Sequence, residues 1–588
     1  MKKAGLLARA AVLVACAFAG GAAAGEAPAA ALVEAGRALY VEGRLPDGQP
    51  LQATRDGLPL AGRTAACIQC HRGSGLGQVE GEFAAPPVTG RALFGNTRGV
   101  IVSMDRVRGK AMNVSHEPYT DAQFAGLVRD GVAPTGRKLL DLMPRYRLDA
   151  SALDALKAYL GTLSAGWSPG VTREEVRFAT VITPEVSPER ARIFLDTLRA
   201  AVARKNANTM PGRRHMVSAA EFAMVTERKW ALEVWQLQGE PGSWAAQLEA
   251  LYAKAPVFAV LSGISESTWE PVHGFCEARR VPCWFPSLAQ SPATAASGAF
   301  GLYFHDGVRL EAALLAKHLK SPAAGRSVAR VLQVMDDSPA SRAAGGALSE
   351  ALSGSGIAVS GQAVADGPAL REALAAAAPG DAVVFWLPAR TLGALASINP
   401  PVATAYFSGL LAHGENAPLN ASWQAVAHMV YPYELPSRRA ANVAYFRRWI
   451  AQSGVALQDE PLQSEVYFAT TYLADTLGEM LDNLHRDYLV ERAEAMLSRR
   501  ESRKAEDQVR DAQMLRRYAP RTTVAAQVAP TEAVHAADGA YGAHEGTTVY
   551  PALALGPGQR FASKGGYVLA FPVLTGRAVS PAPGWHTP

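Results

Sequence analysis

A chain of 588 residues is too long for one hydrophobic core and points to three or four domains. Its 49% hydrophobic and 19% charged content is that of folded globular protein, which excludes a disordered or fibrous chain. The formal charge of +5 includes Lys2, Lys3 and Arg9 at the start; without these three it is +2, and no basic run interleaved with aromatics occurs, which excludes nucleic acid as a partner.

Lys2, Lys3 and Arg9 precede an apolar stretch over 10–19, and small residues follow as far as Ala22-Ala23-Ala24. The pattern is that of a secretory signal peptide over residues 1–25, cut near Ala24 or Gly25, and it implies a periplasmic protein. No later window supplies about 20 uninterrupted apolar residues, so no transmembrane segment is expected in the mature chain. A competing reading attaches to Leu13-Val14-Ala15-Cys16, a lipobox-like run that would leave Cys16 lipidated. Only six apolar residues separate Arg9 from Cys16, fewer than the ~7–15 of a usual leader core, which favours soluble export.

Residues 27–165 form the first expected domain. Leu32, Val33, Gly36, Leu39 and Tyr40 recur at helical spacing. Cys67-Ile68-Gln69-Cys70-His71 then presents C-x-x-C-H, the attachment signature of c-type haem. The spacing suits the chemistry: two thiols add across the two vinyl groups of one porphyrin, and the adjacent imidazole ligates iron. A zinc site would require a further ligand pair nearby, which is missing. A thioredoxin-like dithiol would require a strand-then-helix context, whereas Gly- and Pro-rich sequence follows. Thr120 is placed to cap a helix carrying Phe124, Leu127 and Val128; Asp149 or Ser151 caps a last helix with Leu153, Leu156, Leu160 and Leu163 on one stripe.

With these residues in hand, the segment resembles a class I bacterial cytochrome c, an all-α domain holding one covalent haem c. The resemblance implies a methionine as second axial ligand shortly before the last helix. Leu142-Met143-Pro144-Arg145-Tyr146 stands there, so Met143 is the expected iron ligand beside His71, with Met104 and Met112 as competitors. It also implies a proline carbonyl accepting the His71 ring N–H, from Pro86 or Pro87, and a His/Met iron suited to single-electron transfer with periplasmic redox partners.

Gly166-Trp167-Ser168-Pro169-Gly170 reads as a linker. Over 172–515 the pattern changes to strands alternating with helices, in two series. The first takes in strands over 176–182, 231–237, 257–262 and 282–285, with helices over 188–204, 243–253 and 269–279. After 300–304 and a helix through Leu319, the second runs through strands over 328–335, 357–364 and 382–387, with helices over 341–353 and 369–377. Two such series imply two α/β lobes and a cleft. Element order, with Val260-Leu261-Ser262-Gly263, Val281-Pro282-Cys283-Trp284-Phe285-Pro286 and Gly301-Leu302-Tyr303-Phe304, resembles a type I periplasmic binding protein of the branched-chain amino-acid class.

That resemblance implies a small-molecule ligand in the interlobe cleft, at the C-terminal ends of strands. Ser262, Gly263, Ser265 and Ser287 are the candidate ligand contacts, with Asp336 and Asp337 after a third strand. Serine hydroxyls and helix-start N–H groups suit a small carboxylate. No acid placed to hold an amino group stands out, so the ligand need not be an amino acid. Cys276 and Cys283 are either a disulfide across a small loop or two buried thiols. No Walker motif, nucleophile elbow, zinc-protease motif or dinucleotide fingerprint occurs, so no enzyme is expected.

Helical sequence continues from Pro461 to Arg517, and residues 520–588 are Gly/Pro-rich, with strand-like pieces that suggest a small β-rich appendage. The whole reads as a periplasmic monohaem electron carrier with an attached binding module. The alternatives are a haem-containing solute-binding or redox-sensing protein, and an electron-transfer subunit of a periplasmic dehydrogenase.

Overall fold

The computed structural model describes residues 23–80, 83–95, 100–105, 110–114, 116–218, 223–321, 328–498, 547–551, 553–578 and 584–588. The leader up to residue 22 with Cys16, and the helix expected to continue over 499–517, lie outside them. The chain divides into two compact units, Met1–Ser103 with Ala111–Gly166 and Met104–Lys110 with Trp167–Pro588.

In the first unit, helix Ala23–Arg37 packs against helix Ala150–Thr162. The approach is close enough to require glycine: a Cβ at Gly36 would stand 2.0 Å from the carbonyl oxygen of Ala155. Helix Asp121–Arg129 starts with a reciprocal capping box, the Thr120 hydroxyl accepting from Gln123 N–H and the Gln123 side chain accepting from Thr120 N–H. Asp149, the nearer of the two expected caps, closes the start of the last helix through Ala152 N–H at 2.7 Å. Phe124, Leu127, Val128, Leu153, Leu156 and Leu160 bury one stripe of each helix in a shared core with Leu39, Tyr40 and Leu51.

The expectation of an all-α domain needs correction. Gln52–Arg55 and Leu58–Ala61 form an antiparallel hairpin, and Arg145–Tyr146 adds a third strand through Ala53 and Tyr146. The cause is local: Asp56 and Gly57 both take positive φ, 48° and 77°, the two-residue turn that matches strand twist. Gln78–Glu80 with Phe83–Ala85, and Val100–Asp105 with Lys110–Val114, make two further pairs.

The second unit contains two predominantly parallel sheets. In the first, Glu175–Ile182 is central, flanked by Lys229–Gln236 on one side. On the other lies a strand broken into Ala259–Leu261 and Ile264–Ser265, then one broken into Cys283–Trp284 and Ser287–Leu288, then Gly301–Leu302. The second runs Ala358–Ala363, Arg330–Met335, Ala382–Trp386, Thr404–Ser408, Ala427–Tyr431 and, antiparallel, Tyr567–Ala570. Alternation builds the layers of this lobe: Leu332, Val334, Val383 and Phe385 enter one core and Val331, Ala382, Val384 and Trp386 the other.

Two expectations shift here. The linker is shorter than Gly166–Gly170, because Gly170 lies against Phe258, where a Cβ would stand 2.3 Å from the backbone nitrogen. The described end of the chain is no separate appendage. Tyr567–Ala570 is an edge strand of the second sheet, and Ala562 N–H donates to Tyr303 O at 3.0 Å in the first lobe. The stretch over 562–570 therefore reaches both lobes.

Candidate functional sites

In the first unit Ile68–His71 is a single helical turn, which brings Cys67, Cys70 and His71 to one place. Neither cysteine is in a disulfide. His71 is buried, and its Nδ1 lies 2.8 Å from the carbonyl oxygen of Pro86. That bond, Nδ1–H donating to the carbonyl, fixes the ring and leaves the Nε2 lone pair to ligate a metal. Of the two prolines weighed, Pro86 makes the contact. The Cys67 thiol bonds the Tyr146 hydroxyl, yet burial pushes it up to about 12.

Met143 is half-buried in the turn that leads into strand Arg145–Tyr146. Its carbonyl accepts from the Arg145 guanidinium, which also donates to Leu139 O at 3.1 Å. Through Tyr146 the Met143 turn is tied to Cys67. The side chains of Met104 and Met112 lie outside the described residues. The donor set, two thiols outside any disulfide and an oriented imidazole beside an apolar core, fits a covalently held haem.

In the second unit a cavity of about 830 Å³ lies between the lobes. Ser265 and Ser287 line it; Ser262 and Gly263 do not. Those two form the break inside the strand, with φ of 54° and 123°. Ser262 N–H donates to Trp284 O at 2.8 Å, Gly263 O accepts from Ser287 N–H at 2.9 Å, and a Cβ on Gly263 would meet the Trp269 ring at 2.5 Å. They shape the strand end and touch no ligand space. Asp336 and Asp337 are also absent from the wall; Asp336 accepts from the Ser338 hydroxyl at 2.6 Å. Cys276 and Cys283 form a disulfide, Cα atoms 6.0 Å apart.

The wall holds charge that the strand-end pattern did not reveal. Arg190 pairs with Asp459 at 2.6 Å and Glu266 at 3.3 Å, Arg439 with Glu415 at 2.6 Å, and Arg447 with Glu460 at 2.6 Å. Glu465, 6% exposed, accepts from the Tyr550 hydroxyl at 2.5 Å. Burial raises its carboxyl to about 7 against the opposing Ser287 and Tyr550 hydroxyls. The visible signal was an acid between Leu462, Val466 and Ala469 on the buried face of helix Glu460–Met480.

No family model matches the chain, and no curated protein matches it. Among solved structures it is similar to a substrate-binding periplasmic protein from Ralstonia solanacearum, at 14% identity and a TM-score of 0.42 over 54% of this chain and 88% of that one. It is similar to a possible leucine/isoleucine/valine-binding protein from Rhodopirellula baltica, at 11% identity and a TM-score of 0.47 over 69% and 99%. A branched-chain amino acid transporter substrate-binding protein from Streptococcus pneumoniae, solved with isoleucine, is 13% identical with a TM-score of 0.40 over 53% and 88%. At these scores the likeness carries no argument about ligand or activity.

Proposed function

We propose that the chain is an exported monohaem c-type cytochrome joined to a two-lobed small-solute-binding unit. The observation that carries the proposal is the Cys67-Cys70-His71 turn, with thiols outside any disulfide and a buried imidazole whose Nδ1 is held by Pro86 O at 2.8 Å. A haem held there would supply reversible one-electron chemistry at iron. Cys67 and Cys70 would hold the group covalently and His71 Nε2 would ligate the metal. The Pro86 carbonyl keeps the ring in one tautomer, and Met143 is the proposed second ligand. Leu39, Leu93, Phe124 and Leu153 give the unit a dry apolar core beside the motif. In this reading the partners are periplasmic redox proteins, and the second unit recruits or reports a small molecule.

A second reading has its own support. The interlobe cavity of about 830 Å³ is large enough for a small solute, which favours a solute-binding or sensing protein whose haem reports redox state. Absorption spectra of periplasmically matured protein, oxidised and dithionite-reduced, test the haem. The expected result is sharp reduced bands plus a weak near-infrared band that Met143→Ala abolishes. An unchanged Met143→Ala spectrum removes Met143 as ligand; absence of haem despite a competent maturation system removes the cytochrome reading.

A further inference from the structure

Anion donors are present in the cleft, and they are already taken. The loop after Ile264 offers the Ser265 hydroxyl and two successive N–H groups, a cradle of the kind that receives a carboxylate. Glu185, on the loop after strand Glu175–Ile182, fills it from within the chain. Its Oε1 accepts from the Ser265 hydroxyl at 2.8 Å, Ser267 N–H at 3.0 Å, Glu266 N–H at 3.2 Å and the Thr183 hydroxyl at 2.5 Å. Those bonds, against the cost of burial, keep the Glu185 carboxyl below its ordinary range, so it stays ionised in the cradle.

Three of the four cations of the cleft are committed as well. Arg190, Arg439 and Arg447 each hold an acid at 2.6 Å, and Arg390 is exposed at the rim. Six carboxylates line the cavity against four guanidinium groups. Of these acids Glu465 is the most buried and is held by the Tyr550 hydroxyl, where Asp459, Glu415 and Glu460 have arginines. Tyr433 lines the same wall, its ring centroid 5.4 Å from that of Tyr550, and offers an aromatic face to a cation.

We infer that the cleft takes an organic ammonium ligand that lacks a carboxylate, with Glu465 as its counter-ion and Glu185 holding the anion donors that Ser265 and Glu266 bring to the cleft wall. The inference rests on the reading of the interlobe cavity as a solute site, and it adds the chemical class. Glu465 feels the Arg190 charge but makes no ion pair among the described residues, because Arg190 is held by Asp459 and Glu266, and such an acid gains from an incoming ammonium. A ligand carboxylate would have to displace Glu185 from four donors.

Calorimetric titration of the full-length protein with isopentylammonium, spermidine, isovalerate and L-leucine tests this. At least one ammonium probe is expected to bind more tightly than isovalerate and L-leucine, and Glu465→Gln to weaken it at least tenfold. Glutamine keeps an acceptor for the Tyr550 hydroxyl, and circular dichroism checks that the variant folds. Glu185→Ala provides an independent arm: the emptied cradle is expected to raise the affinity for L-leucine or isovalerate at least tenfold. Tighter binding of isovalerate or L-leucine by the unaltered protein overturns the inference and leaves the solute-site reading standing. Unchanged ammonium affinity in Glu465→Gln overturns it too. Binding of no probe at all removes the solute-site reading, and the inference with it.

Discussion

Glu311 shows how one buried acid couples this fold to pH. It is fully buried in helix Val308–Lys320, where the Ser408 hydroxyl and Leu410 N–H, at 3.0 Å, donate to it. Burial outweighs those bonds and raises its carboxyl to about 8. A carboxyl raised above its unfolded value contributes stability that is complete below about pH 4.5 and lost as pH rises through about 8. The whole effect is at most about 5 kcal/mol. Glu465, raised to about 7, acts in the same sense over a narrower window. The melting temperature is therefore expected to fall between pH 5 and pH 8.5, and to fall less steeply in Glu311→Gln; parallel curves for the two proteins would dismiss this role. Neither acid was legible as a charged core residue from composition, because burial depends on which helix face meets which sheet.

At the scale of elements, the helix pair Ala23–Arg37 and Ala150–Thr162 depends on a single missing side chain. A Cβ on Gly36 would overlap Ala155 O at 2.0 Å and the Tyr159 Cβ at 2.7 Å, both fixed parts of the opposing helix. Gly36→Val is expected to cost about 3 kcal/mol or more through overpacking and separation of the helices. Chemical denaturation measures this, and a variant as stable as the parent would mean that the helices do not approach so closely. The apolar periodicity that includes Gly36 was readable in the sequence; its reason for being glycine was not, because that reason sits more than a hundred residues away. The opposite holds for the hairpin at Asp56-Gly57. Its signal was local and strong, yet its flanking strands, only four residues each, carry little of the alternation by which strands are recognised.

For the molecule as a whole, the final described stretch carries more than its position suggests. Tyr567, Leu569, Phe571 and Leu574 complete one core of the second lobe, and Arg560 is the 2.9 Å partner of Glu494, which is 2% exposed. Ending the chain at residue 546 would bare the Ala427–Tyr431 edge, open the core that Tyr567, Leu569, Phe571 and Leu574 complete, and take Arg560 away from the buried Glu494. The truncated protein is expected to aggregate or to lose cooperative unfolding; a soluble fragment with an unchanged melting temperature would refute this. Local and periodic features could be read from the residues alone: the C-x-x-C-H turn, the helix caps at Thr120 and Asp149, and the alternation that builds two α/β series. Only the tertiary structure decided what depends on contacts between distant residues. It corrected the all-α reading of the first unit, moved Ser262 and Gly263 from ligand contacts to a strand break, joined Cys276 to Cys283, and set Glu185 and Glu465 at the cleft. The reason is physical: caps and turns are governed by neighbours a few residues away, whereas the donors around a buried carboxylate come from segments that meet only after the chain has folded.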